Sequence, residues 1–121
     1  MKTSELTRAA LDWAVAKCEG YEIVRMKGNE ITFLDRTEDG ALGEKHISYS
    51  TNWAQGGPII EREMVCLIPP RAGIELWEAY HPDFPQEEHY GPTPLIAAMR
   101  CYVVSVLGDE IELPTELGES K

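Results

Sequence analysis

The chain predicts an α+β fold, a single compact domain with one antiparallel sheet of about four strands and three helices, in the order α-β-β-α-β-β-α. Three observations lead there. Residues 4–19 and 93–108 read as helices, the first by amphipathic apolar spacing and the second by a Thr-Pro start, an apolar body and a Gly stop. Two pairs of β-rich runs each flank a short turn signal. At 121 residues the chain is long enough for one core and short for two.

The first helix, "SELTRAALDWAVAKCE", sets Leu6, Ala10, Trp13 and Ala14 on one face and Glu5, Arg8, Asp12 and Glu19 on the other. Gly20 is a natural C-terminal stop. "YEIVRMK" and "EITFLD" flank Gly28-Asn29, which reads as a tight hairpin with strands near 21–27 and 30–35. Residues 36–46 are polar and contain glycine, so they read as a surface loop.

Residues 50–63, "STNWAQGGPIIERE", interrupt a helix-forming run with Gly56, Gly57 and Pro58. A proline costs about 3 kcal/mol in a helix interior and little at the first helical position. The expectation is a turn at 51–55, started by Ser50 or Thr51, and a short helix from Pro58 to Glu63. "MVCLI" and "GIELWEAY" read as a second hairpin, with strands near 64–68 and 73–80, and residues 81–92 as a loop. Thr93 then caps a last helix with Pro94 at its first position, apolar nearly all round and ending at Gly108. In the tail, "EIEL" alternates like an edge strand, and residues 113–121 are expected to fray.

Charge is unevenly placed. Residues 1–36 hold six basic and six acidic side chains, whereas 37–121 hold five and fifteen, which accounts for the net −10. Such a surface repels phosphate backbones and disfavours direct nucleic-acid binding. It suits a basic partner, or it serves only to keep the protein in solution. Cys18, Cys66 and Cys101 are scattered in apolar runs, as reduced buried thiols would be. No apolar run approaches the roughly 18 residues of a bilayer span. The N-terminus carries no signal segment, so an intracellular location is expected.

The stretches "ALDWAVAKCEG" (10–20), "YSTNWAQGGPIIERE" (49–63) and "GPTPLIAAMRCYVVSVLGDEIELP" (91–114) resemble the NinX-like family. These are small proteins of tailed phages and prophages, encoded in lambdoid phages within the nin region. A wider group of phage α/β-sandwich domains has a looser version of the pattern, matched by Tyr49–Thr51, Ile60-Glu61, Trp77 and Ala97-Ala98. The resemblance implies expression in the cytoplasm of an infected or lysogenic bacterium and an accessory role. It brings no catalytic residues to carry over.

Several constellations are candidates for chemistry. Gly56-Gly57-Pro58 precedes a helix start and would expose N–H groups to an anion, but it is neither a P-loop nor a dinucleotide fingerprint. His81, Asp83, Glu87, Glu88 and His89 include metal-ligand types without metal-site spacing, so neither a metal nor another cofactor is expected. No serine or cysteine has the setting of an activated nucleophile, and no catalytic residue is assigned. Trp53 and Gln55 form either the wall of a pocket or partner contact, or a core plug at the edge of the sheet. Arg100 either pairs with Glu61 or Glu63 or clamps an anionic ligand.

Two functions follow. The leading one is a non-enzymatic accessory protein that binds a host or phage protein, with Asp83, Glu87 and Glu88 as an acidic docking surface. A sharper version antagonises a basic host nuclease or defence factor. The competing one is a small-ligand or nucleotide-binding domain, with enzymatic activity as one version, built on the 50–58 turn and Arg100, with Trp53, Gln55, Gly56 and Gly57 lining it.

Overall fold

The computed structural model describes residues 2–6, 8–21, 23–27, 30–36 and 42–113. A 3₁₀ turn at Thr3–Glu5 leads into α1 (Arg8–Glu19), then β1 (Ile23–Lys27), β2 (Glu30–Arg36) and β3 (Leu42–Ile47). Next come α2 (Trp53–Glu63), β4 (Cys66–Ile68), β5 (Trp77–Tyr80), β6 (His89–Gly91) and α3 (Pro94–Leu107). The class is α+β, with three helices, as the periodicity predicts. The strands, however, number six among the described residues and form two separate antiparallel sheets, β1-β2-β3 and β4-β5-β6, instead of one sheet of about four.

Each sheet gains a third strand from a segment that reads as loop. Leu42–Ile47 pairs with β2 along six positions, from Ile31 opposite Ile47 to Arg36 opposite Leu42. His89–Gly91 pairs with β5, Trp77 lying opposite Gly91. The ladder is made by backbone groups, so polar side chains do not prevent pairing once a hairpin presents an unpaired edge. The second hairpin is also shorter than its apolar runs. Arg71 and Ile74 exchange two backbone bonds of 2.8 Å around Gly73, whose φ is +85°, so a tight turn occupies residues that read as strand.

α3 is central, packing against all three strands of the second sheet and against α1 and α2, while α1 also touches β2 and β3. The core follows from this: Leu11, Val15, Ile47, Ile59, Ala79, Met99 and Val103 are all buried in one cluster. The first turn of α3 is capped as expected, the Thr93 Oγ1 accepting from the Ile96 N–H at 3.1 Å. α1 stops at Gly20 (φ +84°), where the Gly20 N–H bonds the Lys17 carbonyl and the Tyr21 N–H bonds the Ala16 carbonyl. Asp12, expected on the polar face, is instead 6% exposed, and its Oδ1 accepts the Ser50 amide at 2.7 Å. "EIEL" makes only a single bridge, Glu110 to Lys2. Leu113 packs against the core instead of fraying, and the remainder of the expected tail lies outside the described residues.

The largest correction is at 50–63. α2 runs unbroken from Trp53 to Glu63 with Pro58 inside it. Its N-cap is Asn52, the Oδ1 accepting from the Ala54 N–H at 2.9 Å, not Ser50 or Thr51. Neither Gly56 nor Gly57 has a positive φ. Gly56 is needed for proximity: a Cβ there would stand 2.6 Å from the Tyr49 carbonyl oxygen and 2.8 Å from Leu95 Cδ1. Pro58 is tolerated because it and Ala54, whose carbonyl loses its donor, are both exposed and water can take the place of the missing N–H.

Candidate functional site

The residues expected to form one ligand site are not brought together. Gln55 is occupied internally, its Oε1 accepting the Ser48 N–H at 2.7 Å and fastening the segment that leads into α2. Gly56 is buried beneath Leu95, and Gly57 faces only the Trp53 ring, at 3.7 Å from an ideal Cβ. Arg100 pairs with neither Glu61 nor Glu63. Its Nε donates to the Leu6 carbonyl at 3.0 Å and its Nη1 to the Tyr90 carbonyl at 2.8 Å. Burial lowers the pKa of its guanidinium from the ordinary value. The two bonds tie the N-terminal segment and the strand β6 to α3. Trp53 does not plug the core, for it is 53% exposed.

The carboxylate–arginine pair that the sequence suggested for Arg100 exists at Arg62. Its Nη2 and Nη1 donate to Glu19 Oε2 and Oε1 at 2.7 and 3.2 Å, and its Nε donates to Glu63 at 3.0 Å. The Tyr102 hydroxyl donates to Glu19 Oε2 and accepts from Arg62. Burial acts to raise the Glu19 pKa, but the bonds from Arg62 and Tyr102 and the Arg62 charge outweigh it and hold the group low. This cluster joins α1, α2 and α3 and is a clamp. The helical spacing of Arg62 in "IIERE" gave no hint of a partner 43 residues away.

The acidic loop is divided in role. Asp83 donates its N–H to His81 Nδ1, Glu88 accepts from the Tyr90 hydroxyl at 2.9 Å, and His81 Nε2 lies 3.3 Å from Glu63. Among the described residues no group of three His, Cys, Asp or Glu side chains is placed to hold a metal. Of the three cysteines only Cys101 is fully buried, and burial pushes the Cys18 and Cys101 thiols up to about 12.

Glu87 differs from its neighbours in the loop. It lines a groove of about 480 Å³ with Phe84, His89, Val104 and Asp109, and an adjoining groove of about 430 Å³ shares His89, Val104 and Asp109 and adds Glu110 and Lys2. The loop and the end of α3, about 20 residues apart in sequence, therefore place Glu87 and Asp109 on one groove and Asp109 and Glu110, with Lys2, on the adjoining one. The end of α3 is held there by the N-terminus, the Thr3 N–H bonding the Asp109 carbonyl at 2.9 Å and Thr3 Oγ1 the Gly108 carbonyl at 2.8 Å. Phe84 is 46% exposed beside the groove. Burial pushes the His89 imidazole below its ordinary value, against the opposing pull of Glu87. Burial thus favours the neutral imidazole over the imidazolium.

Fold and surface together define a small acidic α+β domain with grooves bordered by carboxylates at the end of α3. The family model for bacteriophage P22 NinX matches residues 2–106, and the chain belongs to that family. It is accordingly a phage accessory protein. Comparison with curated proteins gives no match. No helix among the described residues is long and apolar enough to cross a membrane.

Proposed function

We propose that the protein acts in the cytoplasm of its bacterial host by docking a basic segment of a host or phage protein, and that a basic nuclease or defence factor is the class of partner it suits. The observation that carries this reading is the placing of Glu87 and Asp109 on a groove with Val104 and the exposed Phe84, adjoined by a second groove that Asp109 and Glu110 share with Lys2. An exposed aromatic beside an apolar floor supplies an anchor, and the acidic rim supplies steering toward lysine and arginine. The net charge of −10 acts in the same direction and against nucleic acid as the direct ligand.

Of the loop acids, Glu87 lines the groove and Glu88 accepts from Tyr90, which favours Glu87 as the docking carboxylate, while the Asp83 carboxylate is exposed beside them. A labelled peptide alternating lysine with leucine tests the reading by stopped-flow association across a salt series. Association with the parent should slow as salt rises, and Glu87→Gln with Asp109→Asn and Glu110→Gln should reproduce the loss at low salt. A rate indifferent to both would refute the docking role.

A further inference from the structure

The stretch "HPDFPQE" (81–87) leaves β5 through two consecutive tight turns, with Pro82 and Pro85 each at the second position that proline favours. The Phe84 N–H donates to the His81 carbonyl at 2.9 Å and the Glu87 N–H to the Phe84 carbonyl at 3.1 Å. The first turn has a further bond, the Asp83 N–H donating to His81 Nδ1 at 3.1 Å. A backbone amide can only donate, so Nδ1 is the unprotonated nitrogen and the ring proton sits on Nε2. Nε2 lies 3.3 Å from Glu63 Oε1 on α2, where that proton finds its acceptor. The ring is 12% exposed and packs on the Phe84 ring, with centroids 5.9 Å apart. One imidazole thus joins α2, the turn and Phe84, and Phe84 lines the groove at the end of α3.

We propose that His81 is a pH-sensitive latch on the turn that carries Phe84 to the groove. A proton taken from solvent onto Nδ1 turns that atom from acceptor into donor. Two N–H groups then face each other, and the Asp83 amide loses its partner. The charged ring has other acceptors within reach. Among the described residues, the charged groups facing it are Glu63 from α2, itself bonded by Arg62 Nε at 3.0 Å, and Asp83 from the turn. Asp83 Oδ2 stands 3.8 Å from Nδ1 on a side chain that is 77% exposed, so it is free to close on the new N–H. The neutral ring is held by one amide and one carboxylate, the charged ring by two carboxylates. Phe84, whose N–H and ring both rest on His81, moves with the exchange. Histidine ordinarily titrates between about pH 5 and 8, above the carboxylate range near 4, so the latch works while Glu63 and Asp83 stay charged. The latch belongs to the free protein and does not depend on the docking reading.

The test is an NMR series on the uniformly ¹⁵N-labelled full chain from pH 8 to pH 5. At pH 8 the two-bond ¹H–¹⁵N correlations of the His81 ring should show the Nε2–H tautomer. As pH falls, the Asp83 amide should shift with the same midpoint as the ring, and the contact between the Phe84 and His81 rings should weaken. His81→Asn supplies a second arm, because an asparagine oxygen accepts the N–H two residues on and does not titrate. In that variant the Asp83 amide should stay level across the whole range. An Nδ1–H tautomer at pH 8, an Asp83 amide indifferent to the ring's titration, or an unmoved Phe84 contact would each overturn the latch. So would an Asp83 amide that still shifts between pH 8 and pH 5 in His81→Asn.

Discussion

The α-carbon of Gly56 is pressed so close to the backbone of Tyr49 that a side chain there would meet the Tyr49 carbonyl oxygen at 2.6 Å. Backbone cannot swing aside as a flexible side chain can, so Gly56→Ala should cost about 2 kcal/mol or more. Gly57, one residue on, has ordinary helical φ and only the Trp53 ring at 3.7 Å. Gly57→Ala should gain up to about 1 kcal/mol from helix propensity. Urea unfolding of the two variants gives opposite signs if the close approach is real.

Pro58 interrupts the bond that residue 58 would make to the Ala54 carbonyl, and its ring crowds that oxygen. Its side is exposed, so little packing is lost on truncation. Pro58→Ala should therefore stabilise by roughly 1–2 kcal/mol, the restored helix bond outweighing the extra freedom of the unfolded chain. A destabilised variant in the same unfolding assay would show that the ring has a packing role.

Met64 ends α2 at φ +56°, with the Met64 N–H on the Glu61 carbonyl and the Val65 N–H on the Ile60 carbonyl. This is the helix-ending arrangement that favours glycine, and the methionine side chain is 69% exposed. Met64→Gly should raise stability by about 0.5–1 kcal/mol, measurable as a higher melting temperature.

Glu19 should govern part of the acid limb of stability. Its folded pKa is lowered, because the bonds from Tyr102 and Arg62 and the Arg62 charge exceed the upward push of burial. A lowered carboxyl contributes stability fully above its unfolded value of about 4.3, and that contribution is lost as pH falls through the folded value. Arg62→Gln should flatten the dependence of melting temperature on pH below about 5.

His89 should titrate below the ordinary histidine value of about 6.5, as followed by its ring resonances. The neutral form is favoured on folding, so its contribution is present above that unfolded value and is lost as pH falls through the folded one. Glu87 pulls the other way, and Glu87→Gln should lower the His89 value further. No change in that variant would separate Glu87 from the groove.

The end of α1 and both ends of α3 were legible in the sequence because capping is local, whereas the start of α2 was not. Gly20, Thr93-Pro94 and Gly108 each act on backbone groups within one turn, whatever surrounds them. The pairing of β1 with β2 was legible from two β-rich runs, and the Gly28-Asn29 turn expected between them lies outside the described residues. The proposed site was legible only in part: Glu87 was expected on the docking surface, but nothing in "VLGDE" indicated that Asp109 would share its groove or that Glu110 would line the adjoining one. Arg100 was recognised as a buried cation in need of acceptors, yet acceptors on Leu6 and Tyr90 carry no side-chain signature, since every residue has a carbonyl.

By itself, the sequence determined the α+β class, the end of α1 and both ends of α3, the pairing of the first two strands, the acidity of the later part of the chain and the family resemblance. These depend on local backbone chemistry, on composition or on the matching of long motifs. Tertiary structure alone decided that Gly56 serves a close approach and not a turn, and that two loop-like segments become third strands. It also decided that Arg62, not Arg100, carries the arginine–carboxylate clamp, and that grooves open at both ends of α3. Each of these is a relation between residues distant in sequence, set by which backbones and side chains α3 brings within reach as it packs.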